Sequence, residues 1–190
     1  MKHIKNKIMI AAILTLCTGL TELSLTPVAN ITNIAKIDTN FEVEIKAEVL
    51  DLKSTNDFLN NIGFRESGNR YDIVNKFGYM GKYQFGKKTL KSLGINVSEQ
   101  DFLSNPQLQE EAMLMLLRSN RKILKKYILQ NNQKSVNGIY ITESGILAAA
   151  HLAGAGNVKK FFKTGKDFED GLGTKLTSYM QEFSGYYLNI

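Results

Sequence analysis

The sequence predicts an α+β fold that is mainly α, and three observations lead to it. Apolar residues recur at helical spacing over a long segment opened by Asn105-Pro106. Shorter helical patterns flank that segment on both sides. Between two of them, Asn69 to Phe85 sets Gly78 and Gly81 among aromatic and β-branched residues, the composition of a small β or loop region. At 190 residues, the chain holds one domain with a proper core plus a leader. Its 43% hydrophobic and 22% charged residues exclude a disordered or membrane-embedded protein.

Residues 1–29 read as a secretory signal: Lys2, Lys5 and Lys7 precede an uncharged apolar run from Ile8 to Leu20, and small or polar residues follow to Ala29. The run is shorter than the roughly 20 residues that span a bilayer, so no stable membrane span is expected. Leu16 before Cys17 does not suit a lipidation signal. Removing the leader removes the one cysteine, and with it any disulfide or cysteine nucleophile. It also lowers the formal charge from +6 to +4, because Lys2, Lys5, Lys7 and Glu22 leave with it. That modest excess suits a polyanionic cell wall, and does not by itself choose between wall and nucleic acid.

Residues 30–53 carry no motif and read as a linker or peripheral segment, with strand-like alternation only over Phe41 to Ile45. The domain proper is expected over 54–190. Ser54 can cap a first helix, with Asp57 in its first turn and Phe58, Leu59 and Ile62 on one face, ending near Glu66 to Gly68. After the glycine-aromatic segment, a short helix is predicted over Lys87 to Leu93 with Gly94 as its stop. The long helix should run from Pro106 to about Gln130 and bury Leu108, Ala112, Met115, Leu116, Ile123, Leu124, Tyr127 and Ile128. A polar stretch from Asn131 to Asn137 separates it from a helix capped by Thr142 over Glu143 to Leu152. Gly154 and Gly156 break that helix, Asn157 to Phe162 starts another, and a last one is expected over Lys175 to Phe183.

Three segments carry the chemistry. Arg65-Glu66-Ser67-Gly68-Asn69 is followed by Tyr71-Asp72-Ile73-Val74-Asn75; Gly78-Tyr79-Met80-Gly81-Lys82-Tyr83-Gln84-Phe85 comes next; Ala149-Ala150-His151-Leu152-Ala153-Gly154-Ala155-Gly156-Asn157-Val158 comes last. Together and in this order they resemble the soluble lytic transglycosylase-type, lysozyme-like family, from about Thr55 to the C-terminus. His151 and Leu152 stand where that family usually has tyrosine and asparagine. Asp170-Gly171-Leu172-Gly173-Thr174 and Tyr179 are similar to a branch that carries Ala-Ala-His-Leu at this place. The resemblance implies a lysozyme-like fold, with the small β or loop region beside a catalytic cleft. It also implies cleavage of the MurNAc-GlcNAc β-1,4 bond of peptidoglycan without metal or organic cofactor. In that family's mechanism one carboxyl group, here Glu66, protonates the leaving oxygen. The substrate N-acetyl group steadies the cationic sugar, and the muramyl 6-hydroxyl closes on C1 to give a 1,6-anhydromuramyl end.

The residues themselves argue for Glu66 independently. Breaking a glycosidic bond needs an acid that still holds its proton near neutral pH, and an apolar, aromatic setting favours that state. Phe64, Tyr79, Tyr83 and Phe85 are the candidate walls, and Ser67 or Gln84 the candidate groups to orient the carboxyl. Against this stands an ordinary exposed glutamate in a helix C-terminal turn. Tyr79, Tyr83, Gln84, Ser67 and His151 are candidate substrate contacts, the tyrosines by stacking and Gln84 by hydrogen bonding. His151 reads equally as a polar residue bonded to backbone. With His3 in the leader, no histidine-based metal cluster can form.

A hydrolase would need a second carboxylate. Asp72 is the candidate, since Glu143, one place after the Thr142 cap, is more simply a favourable charge at a helix N-terminus. The alternatives are therefore a hydrolytic muramidase using Asp72, and a catalytically silent wall-binding module, suggested by Leu152. The expected partners are peptidoglycan glycan strands and, through the resemblance, an envelope-spanning secretion or conjugation apparatus. Nucleic acid is not expected. The expected location is secreted or periplasmic.

Overall fold

Residues 53–190 are described by the computed structural model. The expected leader over 1–29, and the expected linker up to residue 52, lie outside them. Helix α1 (Thr55–Ser67) opens on a capping box: Ser54 Oγ accepts from the Asp57 amide, and the Asp57 carboxylate accepts from the Ser54 amide. It ends at Gly68, whose φ of 67° is the left-handed conformation that closes helices. Its buried face, Phe58, Leu59 and Ile62, is the one its spacing predicts.

The segment from Asn69 to Phe85 folds as turns joined by isolated bridges, Val74 to Met80 and Met80 to Phe85. Gln109 ties it down. Its Oε1 accepts from the Lys82 amide at 2.8 Å, and its Nε2 donates to the carbonyls of Tyr71 and Phe102, both at 2.9 Å. The fit requires glycine at 81, where φ is +70° and a Cβ would lie 2.0 Å from Gln109 Oε1.

Helix α2 (Lys87–Ser92) stops before Gly94, and α3 (Glu99–Leu103), which the pattern does not announce, is capped by Ser98 and buries Phe102 against Phe85. Helix α4 (Pro106–Asn131) begins where Asn105 accepts from the Leu108 amide, with Pro106 at the first position. It buries Gln109, Ala112, Met113, Leu117, Asn120, Leu124 and Ile128. The expected stripe is thus partly corrected. Met115 and Ile123 face solvent, because the buried set follows Gln109, Met113, Leu117, Asn120 and Leu124 and so includes two polar positions that an apolar stripe skips.

Strands β1 (Lys134–Val136) and β2 (Ile139–Ile141) pair antiparallel, Val136 opposite Ile139. Asn137 and Gly138 form the turn with φ of 50° and 79°, the two-residue left-handed turn that Asn-Gly favours. Helix α5 (Glu143–Thr164) is capped by Thr142 and interrupted at Gly154 (φ 78°, ψ 151°), so the expected break is there, although the helix resumes at once rather than near Asn157. Its first half, Ser144 to Ala150, is wholly buried. Helix α6 (Leu176–Glu182) crosses it closely: a Cβ on Gly145 would lie 2.3 Å from the Met180 carbonyl oxygen. Among the described residues the structure is therefore mainly helical, with one two-stranded sheet. Among the described residues no helix is long and apolar enough to cross a membrane.

Glu143, at the first position of α5, is engaged in an ion pair. It receives Arg121 Nε at 2.6 Å, while the same guanidinium donates to the carbonyls of Leu188 and Ile190, so the group fastens the C-terminal segment to α4 and α5.

Candidate functional site

Glu66 lies in the last turn of α1, and α5 and α6 bring two side chains onto it. The Tyr179 hydroxyl donates to Glu66 Oε1 at 2.6 Å, and His151 Nε2 stands 3.7 Å from the same oxygen. The Glu66 side chain is 17% exposed and the His151 side chain 6%. The exposed-glutamate reading therefore does not describe Glu66. Burial first, and then the adjacent Glu66 carboxylate, push the Tyr179 hydroxyl well above its ordinary value of 10.0, so it serves as a donor.

Burial holds His151 below its ordinary 6.5, against the opposing pull of the Glu66 charge and the Tyr83 main chain. Its Nδ1 makes no well-formed hydrogen bond, and its ring packs edge-on against Phe85 at 6.0 Å between centroids. His151 is thus a buried neighbour of the acid.

Glu66 opens onto a cleft of about 460 Å³. One wall comes from the glycine-aromatic segment, with Asn75, Phe77, Tyr79, Gln84 and Phe85. Another comes from α4 and α5, with Leu116, Asn120, His151, Leu152 and Gly154, and a third from Asp170, Gly171 and Leu172. Phe77, Tyr79 and Leu172 are large apolar side chains left exposed at this cleft, an arrangement that suits a ligand with flat apolar faces and a polar rim.

The expected contacts divide. Tyr79, Gln84 and His151 line the cleft with Glu66. Gln84 holds a φ of 50° and donates from Nε2 to the Gly81 carbonyl at 2.8 Å, so it does not orient the acid; Tyr179 does. Tyr83 is corrected as a contact: it is fully buried, and its hydroxyl donates to Glu110 Oε2 at 2.5 Å. Ser67 is corrected too. Its hydroxyl bonds the carbonyls of Lys82 (2.8 Å) and Gly63 and accepts from the Arg70 amide, which pins the end of α1 to the loop. Asp72 is exposed and lies outside the cleft, as does Phe64, which points to solvent. The second acidic residue lining the cleft is Asp170, whose Oδ1 accepts from the amides of Leu172 (2.8 Å) and Thr174 (2.7 Å) and so shapes its own turn.

Behind the cleft wall is an ionic network that the sequence did not disclose. Lys82 Nζ bonds Glu110 Oε1 at 2.7 Å, and the hydroxyls of Tyr71 and Tyr83 both donate to the same carboxylate. Burial pushes the Glu110 carboxyl up. The three hydrogen bonds and the Lys82 charge outweigh it and leave the group below its ordinary 4.5. Tyr71 is pushed up to about 12, by burial and then by Glu110. Nothing local in the sequence marks Glu110, whose partners Tyr71, Lys82 and Tyr83 lie 27 to 39 residues away. Among the described residues no group of three or more His, Cys, Asp or Glu side chains is placed to hold a metal ion. Comparison of the chain with protein-family models, curated proteins and solved structures finds no match.

Proposed function

We propose that the chain has a lysozyme-like fold and cleaves the MurNAc-GlcNAc β-1,4 bond of peptidoglycan by the lytic transglycosylase route. One observation carries this reading: a largely buried carboxyl group, held by a tyrosine hydroxyl, opens onto a cleft bordered by exposed apolar and aromatic side chains. Glu66 protonates the leaving glycosidic oxygen as the C1–O bond breaks. The electron pair stays with that oxygen, and the acetamido group of the substrate steadies the cationic sugar. Glu66, now a carboxylate, takes the proton of the muramyl 6-hydroxyl as its oxygen closes on C1. The product carries a 1,6-anhydromuramyl end.

The surroundings of the acid favour one carboxyl group over two. Asp72 lies outside the cleft, and Asp170 spends its Oδ1 on two amides of its own turn. A hydrolytic muramidase would need a carboxylate free to act on water across the sugar from the acid. Glycan strands are accordingly the proposed partner, and the cell envelope, reached through the expected leader, the proposed location. Secretion or conjugation machinery remains a proposal on the resemblance alone.

Mass spectrometry of fragments released from purified peptidoglycan tests the reading. Anhydro ends are expected; hydrated reducing ends mean hydrolysis, and no release means a silent binding module.

A further inference from the structure

Asn120 occupies a position on α4 where the helical pattern calls for an apolar side chain. It is only 5% exposed, lies between the buried Leu117 and Leu124 on the same face, and still lines the cleft that holds Glu66. Its Nδ2 is buried without a hydrogen-bond partner. An unpaired buried amide donor is costly, and an apolar residue of similar shape would remove the cost, so a helix core keeps such a group only for a reason. The terminal amide torsion is broad and roughly two-fold, so the group can turn its donor toward the cleft without leaving its rotamer well.

We infer that Asn120 is the cleft's recognition group for the 2-acetamido substituent of an amino sugar. The inference deepens the reading above and rests on it for the kind of polymer bound. A primary amide offers one acceptor and two donors, which match the N–H and C=O of an acetamido group in both directions. Leu116, one turn earlier on α4, and Leu152 on α5 line the same cleft and supply apolar surface for the acetyl methyl. A site built this way rejects an analogue lacking the acetamido group, because the buried amide is then left unpaired.

The test is binding of tri-N-acetylchitotriose and of cellotriose, which has hydroxyls in place of the acetamido groups, by calorimetry with the full chain. It compares wild type, Asn120→Leu and Asn120→Ala, with Tm recorded for each. The expected result is that wild type prefers the acetylated trimer about tenfold or more. Both variants lose that preference while keeping Tm within about 2 °C of wild type or above it. Asn120→Ala carries the readout should Leu overpack. A wild type without preference, variants that retain it, or a large Tm loss in both variants alongside the lost preference would each overturn the assignment. Failure of the cleavage reading looks different: no fragments are released from peptidoglycan, yet the acetamido preference is present in wild type and absent in the variants.

Discussion

The Tyr179 hydroxyl and Glu66 Oε1 are 2.6 Å apart across 113 residues of sequence, so the last helix of the chain holds the acid carried by the first described one. A hydrogen bond to a charged group is worth about 1.5–3 kcal/mol. Tyr179→Phe is therefore expected to lower kcat about ten- to a hundredfold, with KM little changed. Steady-state rates of fragment release check this, and a changed KM with unchanged kcat would assign the tyrosine to substrate binding instead.

Glu66→Gln keeps the shape of the side chain and its contact with Tyr179 but has no proton to deliver. Release of fragments should fall by about 10²- to 10⁴-fold with Tm preserved. Undiminished release by this variant would remove Glu66 from the mechanism.

Two of the shifted groups, Glu110 and His151, each make the protein less stable as pH falls. Glu110 has a folded value below 4.5, so its contribution is present above about pH 4.5 and is lost as pH falls through that lower folded value. Glu110→Gln should cost about 3 kcal/mol at neutral pH, the low end for a broken buried pair because Glu110 is partly exposed, and should flatten the decline below pH 4.5. Thermal melts of both proteins between pH 3 and pH 7 read both effects.

His151, buried and held below 6.5, binds a proton more readily unfolded than folded. Stability should thus fall as pH drops below about 6.5 and continue to fall until the folded value is passed. His151→Asn should lack that part of the slope. A wild-type melting curve level between pH 7 and pH 5 would contradict the burial of a neutral ring there.

Gly145 packs against the main chain of Met180, next to Tyr179. Gly145→Ala is expected to cost about 1–3 kcal/mol in denaturant unfolding and to reduce kcat, because α6 must shift and carry the tyrosine with it. Gly156→Ala, where an added Cβ meets nothing within 4 Å, is the matched control and should leave both measurements nearly unchanged.

The helices were legible because their ends carry local chemistry. The Ser54, Asn105 and Thr142 caps and the glycines at 68 and 94 act within a few residues, and the structure places helix ends at each of them. The hairpin had an equally local sign, Asn137-Gly138 between Val136 and Ile139, but the polar residues before it masked the first strand. Within the candidate site, Glu66, Tyr79, Gln84 and His151 come together as segments read in order would suggest. Tyr83 was misassigned because stacking and burial draw on the same residue type, and only its partner Glu110, 27 residues away, decides between them. Tyr179 stood out only through the resemblance, and Asn120 only as a polar residue on an otherwise apolar helical face. Their importance comes from crossings between helices far apart in sequence, which a one-dimensional reading does not contain.

Gly154 has backbone angles, φ 78° and ψ 151°, that residues with a side chain hardly ever reach. Any residue with a side chain would hold those angles only under strain of about 1–3 kcal/mol, set against the buried Val158 and Phe161 that anchor the ten residues beyond it. Gly154 itself lines the cleft, so that strain falls on the wall beside His151 and Leu152. The geometry of ligand access is in this sense delegated to a hydrogen atom: the one substituent at residue 154 small enough to let the chain turn.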